Sequence, residues 1–245
     1  MTLFPYDLDP APKANLGLIV LQSDERIEWD FRRLIPQVVA LNVTRVPSGL
    51  DVTPETLQAM EAHIPAAAEL LPRPVHYDAV GYGCTSGTAQ IGPERIAELT
   101  GAGTGTAHVT EPLSALVAAC GKLGLKRLAF LSPYVEDVSD RLRNELAHRG
   151  VDSPVFGSFA EAEEARVARI SPSSVQAAAA ALARQGDVDG VFLSCTNLNT
   201  LDVIEPLEQQ TGLPVLSSNL VLAWHLLTLA GVAIPQTFPG QLSTP

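Results

Sequence analysis

Two cysteines in matching contexts are the side chains of this sequence best suited to chemistry at carbon. Cys84 occurs in Gly-Tyr-Gly-Cys-Thr-Ser and Cys195 in Phe-Leu-Ser-Cys-Thr-Asn, so a hydroxyl follows each thiol. A thiolate on one face of a bound acid can remove a proton while a thiol on the other face supplies one. Hydroxyls and backbone amides would stabilise the enolate between them. The pair predicts proton transfer at carbon that needs neither cofactor nor metal.

Further polar side chains are predicted to lie near the two thiols. We call the separation of Cys84 from Cys195 along the chain the repeat offset; shifted by it, Ser23 falls on Tyr134, and both would follow a first strand. A tyrosine hydroxyl can donate to a carboxylate. Asp24 would repel a diacid, which favours a substrate with an ammonium or amide group, although a helix N-cap is an equal interpretation of Asp24. The other predicted substrate-binding residues are Thr85, Ser86, Thr196, Asn197 and Asn219.

Other interpretations of the same residues compete with this one. Cysteine is often a small core residue, and Cys120, inside an apolar helical segment, is interpreted that way. The glycines of residues 81–87 resemble a dinucleotide-binding turn, but their spacing is one residue too long. A cysteine hydrolase needs a base for its thiol, and among the histidines only His108 lies near a predicted strand end. The five histidines show no metal-ligand spacing.

The two cysteine motifs belong to an internal repeat. At the repeat offset the apolar run 18–20 falls on 129–131, and Thr100-Gly101 falls on Thr211-Gly212. Each half alternates short apolar runs with segments of helical periodicity, which predicts parallel strands joined by helices. We expect an α/β protein with two pseudo-symmetric parallel-sheet lobes, Rossmann- or flavodoxin-like, and the active site between them. The first lobe is predicted over 1–112, completed by 220–245, and the second over 113–219.

The predicted elements place both cysteines at the carboxyl ends of strands, where open parallel sheets bind ligands. A helix N-terminus there would lower a thiol pKa and hold a carboxylate. Predicted strands cover 16–21, 38–46, 80–83, 107–109, 127–132, 155–159, 191–194 and 214–217. Predicted helices begin after Thr53 and Ser171 and cover 112–123 and 220–229. Residues 1–14 and the segment from Pro235 onward are expected to be loose or docking segments.

Composition narrows the class of protein. The 245 residues are 46% hydrophobic and 18% charged, which is typical of a folded globular protein. A net charge of −11 without a basic run argues against nucleic-acid and membrane partners. The apolar stretch 220–234 is too short to span a bilayer, and the N-terminus lacks a signal-peptide pattern. Three cysteines indicate free thiols, and we expect a cytoplasmic homo-oligomer that binds a small carboxylate.

Five motifs carry a resemblance to a known family. They are the runs 16–20, 83–87, 133–134, 193–196 and 213–219. In them the sequence resembles the aspartate/glutamate racemase superfamily, in the branch of maleate cis-trans isomerases and arylmalonate decarboxylases. The resemblance implies that Cys84 and Cys195 are the acid/base or nucleophile pair. It also implies that Thr85, Ser86 and Tyr134 hold a carboxylate.

Within that branch, two residues help to distinguish the activities. The decarboxylases keep only the second cysteine, so Cys84 argues against decarboxylation, whereas in the maleate isomerases the first cysteine adds to the double bond. Those isomerases carry Asn where this chain has Asp24, which argues against a dicarboxylate substrate. The runs 21–25, 46–49 and 52–57 more closely resemble racemase-like proteins of bacterial ectoine utilisation, whose substrates would be acylated diamino acids.

Taken together, these features predict a cofactor-independent two-cysteine racemase or isomerase. It would act at the carbon next to the carboxylate of a small amino-acid-type or carboxylic acid. The first alternative is a maleate cis-trans isomerase in which a cysteine adds to the double bond. Further alternatives are an arylmalonate-type decarboxylase and a non-catalytic sensor of a small molecule.

Overall fold

The computed structural model describes residues 1–244 and contains two four-stranded sheets in which every strand pair is parallel. The first sheet has the order β2-β1-β3-β4, and the second has the equivalent order β6-β5-β7-β8. The strands are β1 (Ala14–Leu21), β2 (Val39–Val46), β3 (Ala79–Gly83), β4 (Val109–Thr110), β5 (Arg127–Ser132), β6 (Asp152–Ser158), β7 (Gly190–Leu193) and β8 (Val215–Ser217). This architecture confirms the predicted α/β fold with two equivalent sheets.

Helices connect consecutive strands in both halves. They are α1 (Ile27–Leu34), α2 (Pro54–Ala59), α3 (Ile64–Glu69), α4 (Thr85–Ile91), α5 (Pro93–Thr104), α6 (Pro112–Leu123), α7 (Glu136–His148), α8 (Glu164–Val167), α9 (Pro172–Ala183), α10 (Ile204–Thr211) and α11 (Ser218–Leu229). Short 3-10 turns cover Met60–His63, Leu201–Val203 and Gln241–Ser243.

Local capping groups explain why several helix boundaries follow the sequence prediction. The Glu111 side chain accepts the N–H groups of Leu113 and Ser114, Pro112 occupies the first turn, and Gly124 ends α6 in the left-handed conformation. Thr53 forms a capping box at the start of α2. Helix α11 begins at Ser218, slightly earlier than predicted, because the Ser217 hydroxyl caps it.

The internal repeat is visible in the structure and ends at a defined place. The first residues of β3 and β7 are separated by the repeat offset, and so are those of α5 and α10. Helix α5 has 12 residues but α10 only 8. Each helix is ended by a glycine in the left-handed conformation. Because α10 is about one helical turn shorter, the residues that follow it no longer match the first half at the repeat offset. The repeat offset therefore relates β3 to β7 and the start of α5 to the start of α10, but it does not relate β4 to β8.

The C-terminal part of the chain is divided between the two lobes. Helix α11 follows the second sheet but packs against α6, α1 and β3. The Gln241 N–H donates to the Glu208 side chain of α10 at 3.0 Å, so the tail docks on the second lobe. It does so because the Glu208 carboxylate, which also accepts the Val215 N–H, offers free acceptor capacity there.

The N-terminal residues before β1 form no helix or strand, and Leu3, Phe4, Tyr6 and Leu8 among them are exposed. This agrees with the predicted loose segment. Across residues 1–244, no helix has the length and apolar character needed to cross a membrane.

Candidate active site

Both predicted cysteines line one enclosed cavity at the carboxyl ends of β3 and β7. The lining residues are Leu21, Val52, Leu57, Cys84, Thr85, Ser86, Tyr134, Glu164, Cys195, Thr196 and Asn197. The open space among them is about 10 Å³, room for about one water molecule. The arrangement is therefore a closed site that must widen to admit a substrate.

Cys84 is held at the junction between a buried strand and a helix. It is the N-cap residue of α4, and its Sγ accepts the backbone N–H of Gly87 at 3.1 Å. A Cβ at position 87 would lie 2.8 Å from this sulfur, so only glycine lets the backbone approach the thiol so closely. The Tyr-Gly-Cys-Thr-Ser-Gly run thus fixes the first thiol at the cavity.

Cys195 has an unusual backbone conformation. Its φ of +94° lies in the region that favours glycine, so a side chain here is strained. Its N–H donates to the Ser218 hydroxyl at 3.0 Å. Its Sγ accepts the Asn197 N–H at 3.3 Å and lies 2.9 Å from the Tyr134 hydroxyl. These contacts hold the second thiol in place at the end of β7.

Glu164 lines the cavity, although it was not among the residues predicted from the sequence. The residue is 3% exposed. The Tyr134 hydroxyl donates to Oε1 at 2.7 Å, and the Asn197 amide donates to Oε2 at 2.7 Å. Glu164 lies in an acidic run that is typical of an exposed surface helix, so the sequence around it did not indicate a buried site residue. The internal repeat could have pointed to this region of the chain. The repeat offset relates Glu164 to Thr53, and Thr53 is adjacent to Val52, which lines the cavity.

The two loops that follow β2 and β6 pair with each other beside the cavity. Residues 50–52 and 162–164 form an antiparallel bridge centred on Asp51 and Glu163. Two backbone hydrogen bonds of 3.1 Å join the ranges, one in each direction. We call these two ranges the clasp. Residues 50–52 come from the first lobe and residues 162–164 from the second, and each range contains a residue that lines the cavity, Val52 or Glu164. The clasp therefore closes the site between the lobes.

Burial dominates the ionisation of both thiols. It raises the pKa of Cys84 to about 12, and the Gly87 N–H only partly opposes it. Burial also raises the pKa of Cys195 well above its usual value, and the nearby Glu164 carboxylate adds to the shift. The expectation that a helix N-terminus lowers a thiol pKa is therefore wrong for the closed site, because desolvation outweighs the helix end.

Two buried carboxyl groups, those of Glu164 and Asp24, lie in or near the cavity. Burial raises the pKa of the Glu164 carboxyl, while the amide of Asn197 and the hydroxyl of Tyr134 oppose the shift. Burial also raises the pKa of Asp24, whose backbone hydrogen bonds oppose it. Within residues 1–244, the cavity lining contains no Lys, Arg or His. A bound carboxylate would rely on hydroxyl and amide donors rather than on a cationic side chain.

The structure brings most of the predicted site residues together. Cys84, Cys195, Thr85, Ser86, Tyr134, Thr196 and Asn197 all line the cavity. Cys120 is buried within α6, in agreement with its predicted core role. No cluster of three or more His, Cys, Asp or Glu suited to a metal ion occurs in residues 1–244.

The other three predicted residues lie outside the lining. The Ser23 hydroxyl pairs with Ser48 at 3.1 Å. Asp24 Oδ1 accepts the N–H groups of Arg26 and Ile27, each at 2.8 Å, in the turn before α1, although the N-cap residue of that helix is Arg26. The Asn219 amide donates to the Asp30 carboxylate and to the Thr196 carbonyl, each at 2.8 Å. Local capping and helix packing account for these three positions.

Comparison with known proteins relates the chain to two activities. An arylmalonate decarboxylase from Bordetella bronchiseptica is 34% identical over 110 residues, which cover 44% of this chain and 46% of that protein. A maleate isomerase from Pseudomonas putida is 27% identical over 229 residues, covering 87% of this chain and 90% of that protein. The match to the decarboxylase thus spans about half of its length, whereas the match to the isomerase spans nearly all of it.

A solved structure and a family profile complete the comparison. The structure is a Nocardia farcinica maleate cis-trans isomerase mutant with a covalently bound succinylcysteine intermediate. It superposes with a TM-score of 0.82 at 24% identity, covering 94% of this chain and 98% of that one, so the fold is shared. The arylmalonate decarboxylase family profile matches residues 89–242, a range that includes Cys195 and begins just after Cys84. The chain therefore belongs to the arylmalonate decarboxylase family.

Proposed function

We propose that this protein is a thiol-based isomerase of a small carboxylic acid and that it catalyses cis-trans isomerisation of a maleate-type double bond. The observation that carries the proposal is the presence of Cys84 and Cys195 in one closed cavity, beside the hydroxyls of Thr85, Ser86 and Tyr134. Two thiols in a shared, water-poor space suit addition to carbon and the accompanying proton transfer. The nearly full-length similarity to a maleate isomerase supports the same reaction.

The proposed reaction begins when the Cys84 sulfur forms a bond to one alkene carbon. The alkene π electrons move to the other alkene carbon and on to the carboxylate that this carbon bears, and the Cys195 thiolate receives the proton released by the Cys84 thiol. Hydroxyl donors of the lining stabilise the resulting enolate. Rotation about what is now a single bond follows, after which the carbon–sulfur bond breaks and Cys84 regains its proton. The succinylcysteine in the Nocardia farcinica relative supports sulfur addition on this fold.

Isomerisation can be followed directly by proton NMR, because cis and trans alkene protons give distinct signals. We would incubate the protein with maleate and with its monoamide, maleamate, and watch for the trans products. Cys84→Ser and Cys195→Ser should abolish turnover, whereas Cys120→Ser, a buried thiol in α6, is the matched control and should retain it. Absence of trans product from both compounds, or undiminished turnover in Cys84→Ser, would refute the proposal.

Racemisation at the carbon next to a carboxylate is the second candidate. It is favoured by the hydrogen-bonded chain from Cys195 through Tyr134 to Glu164, which can move protons inside the cavity. Incubation of candidate acids in heavy water tests it, since racemisation introduces solvent deuterium at that carbon. Deuterium uptake without alkene isomerisation would favour the racemase over the maleate-type isomerase.

We also infer that the substrate bears an amide or ammonium group and that the chain is closer to the racemase-like proteins of ectoine utilisation. The acidic Glu164 in the lining and the nearby Asp24 support this inference, because a second carboxylate would bind beside negative charge. An N-acylated diamino acid is therefore included in the heavy-water test. Faster turnover of maleate than of maleamate and of that amino acid would contradict the inference.

The assembly and the cellular setting are further parts of the proposal. We propose a cytoplasmic homo-oligomer without nucleic-acid or membrane partners, which is supported by the net charge of −11 and the lack of a basic run. Size-exclusion chromatography with light scattering measures the assembly, and a monomer would refute the homo-oligomer.

A further inference from the structure

We propose that Glu164 is the proton acceptor for Cys195, acting through the Tyr134 hydroxyl, so that Cys195 is the thiolate of the pair. The inference deepens the proposed function, because it assigns the base among the two thiols. Its test measures thiol reactivity without any substrate, so it can fail or succeed independently of the isomerase assignment.

The Tyr134 hydroxyl oxygen contacts the acid and the thiol at the same time. It lies 2.7 Å from Glu164 Oε1 and 2.9 Å from Cys195 Sγ. A hydroxyl has one proton and can donate it to only one of these partners. When Tyr134 donates to the carboxylate, the Cys195 S–H must donate to the tyrosine oxygen. The three groups thus form a directed chain that begins at the thiol and ends at the carboxylate.

Moving each proton by one step along this chain produces a thiolate. The Cys195 proton passes to the Tyr134 oxygen while the Tyr134 proton passes to Glu164 Oε1, so Tyr134 stays neutral. The negative charge moves from the carboxylate to the sulfur, and the net charge of the site does not change. The new thiolate would accept the Tyr134 O–H and the Asn197 N–H, which lies 3.3 Å away. The transfer therefore needs no water and no cationic group.

Cys84 has no equivalent chain. Its Sγ accepts one backbone N–H, that of Gly87. The Tyr82 hydroxyl also hydrogen-bonds to the Cys84 thiol, and it lies 3.8 Å from Met60 Sδ, a weak acceptor. Among the described residues, no carboxylate accepts the Tyr82 proton. The two thiols therefore differ in access to an internal proton acceptor, although both are almost fully buried.

The titratable groups that face Glu164 favour proton uptake by it. They are the Asp24 carboxylate, the Tyr134 hydroxyl and the two thiols. Burial raises the pKa of the Glu164 carboxyl, and the negative charge of Asp24 raises it further. A buried carboxylate beside another acid is a better proton acceptor than an exposed one. The Asn197 amide holds Oε2 at 2.7 Å, which leaves Oε1 directed at Tyr134.

The rate of alkylation by iodoacetamide measures how much of each cysteine is thiolate, because only the thiolate reacts readily. Peptide mass spectrometry assigns the alkylated site, so the two cysteines are followed separately. Cys84 in the same molecule is the matched control, because opening of the clasp admits the reagent to both thiols at once. At pH 7 we expect Cys195 to react at least about tenfold faster than Cys84. In Glu164→Gln the ratio of the two rates should fall by about tenfold, because the internal proton acceptor is lost, even though the negative charge that raises the pKa of Cys195 is lost with it. Glu164→Asp keeps the carboxylate and should recover part of the ratio.

Tyr134→Phe provides an independent break in the chain, because it leaves Glu164 in place and removes only the bridging hydroxyl. It should lower the Cys195-to-Cys84 ratio as Glu164→Gln does, and the double variant should add little more. An unchanged ratio in Tyr134→Phe and Glu164→Gln would overturn the proposal. An equal loss of reactivity at both thiols would also overturn it, since that result indicates a merely structural role for Glu164.

Discussion

The Ser218 hydroxyl oxygen accepts the backbone N–H of Cys195 at 3.0 Å, which ties the start of α11 to the strained turn that carries the second thiol. The same oxygen accepts the Thr85 hydroxyl at 2.8 Å. One serine thereby joins the cysteine-bearing turns of both halves. The link explains how two lobes from distant parts of the chain hold their thiols around one cavity.

Ser218→Ala tests this link. The variant leaves the buried Cys195 N–H without its acceptor, which costs about 1–3 kcal/mol. We expect the free energy of unfolding in urea to fall by that amount. Ser217→Ala is the control, because it removes the α11 cap, worth about 1 kcal/mol, without touching Cys195. Equal stability of Ser218→Ala and the unaltered protein would show that the contact contributes nothing.

The backbone conformation of Cys195 predicts that glycine at this position gives a more stable protein than alanine, the reverse of the usual order within a helix. At φ +94°, Cys195→Gly should be more stable than Cys195→Ala by about 1 kcal/mol, because glycine adopts this region freely. At Cys120, in the middle of α6, the order should reverse, with alanine better by about 0.5–1 kcal/mol. Thermal and urea unfolding of the four variants measures both differences. The same order at both positions would exclude strain at Cys195.

Asp30 predicts a pH-dependent difference in stability. Burial raises its pKa from 3.8 to about 6, although the Asn219 amide and Arg26 oppose the shift. The folded state therefore holds more protons than the unfolded state between these values, and this group lowers the free energy of unfolding as pH rises through the window. A shift of this size corresponds to about 3 kcal/mol. Asp30→Asn should be more stable than the unaltered protein at pH 7 by up to that amount.

The advantage of Asp30→Asn should shrink as pH falls toward 4, where the unaltered protein also has a neutral group at this position. Urea unfolding of both proteins at pH 4, 5, 6 and 7 follows the difference, and comparison of the pair cancels the other buried acids. A difference that stays constant over the whole series would contradict the predicted ionisation.

The clasp predicts a distinct pattern of hydrogen exchange. The Val52 and Glu164 amides bond across the clasp, and these bonds must break whenever the 10 Å³ cavity opens. We expect them to exchange much faster than the Val80 and Val191 amides, whose bonds lie within the two sheets. Saturating maleate or maleamate should slow the clasp amides and leave the sheet amides unchanged. Equal protection of the two sets in the free protein would exclude clasp opening as the entry step.

The parts of the fold that were predicted from the sequence are those fixed by local chemistry. Pro112 and Gly124 mark the two ends of α6, and the cysteine-bearing turns follow runs of buried apolar residues. The shift of the repeat near α10 was not predicted, because α5 and the shorter α10 each end at an ordinary C-cap glycine, Gly105 and Gly212.

The parts of the site that were missed depend on contacts between distant segments. Glu164 is buried because the clasp and Tyr134 enclose it, while its neighbours in sequence are those of an exposed acidic helix. The raised pKa values of Cys84 and Cys195 likewise arise from desolvation by both lobes. Neither effect is encoded in the residues on either side of the position, so local pattern and motif did not indicate them.

The enclosure of the two sulfurs also bears on how long the protein survives in an oxidising medium. Peroxide attacks thiolates that it can reach, and here each of the two cysteines is 4% exposed while residues 50–52 and 162–164 remain paired. The rate at which oxidants inactivate the protein is then set by how often those loops separate. Closure of the site around Cys84 and Cys195 thus also protects both thiols from oxidants in solution.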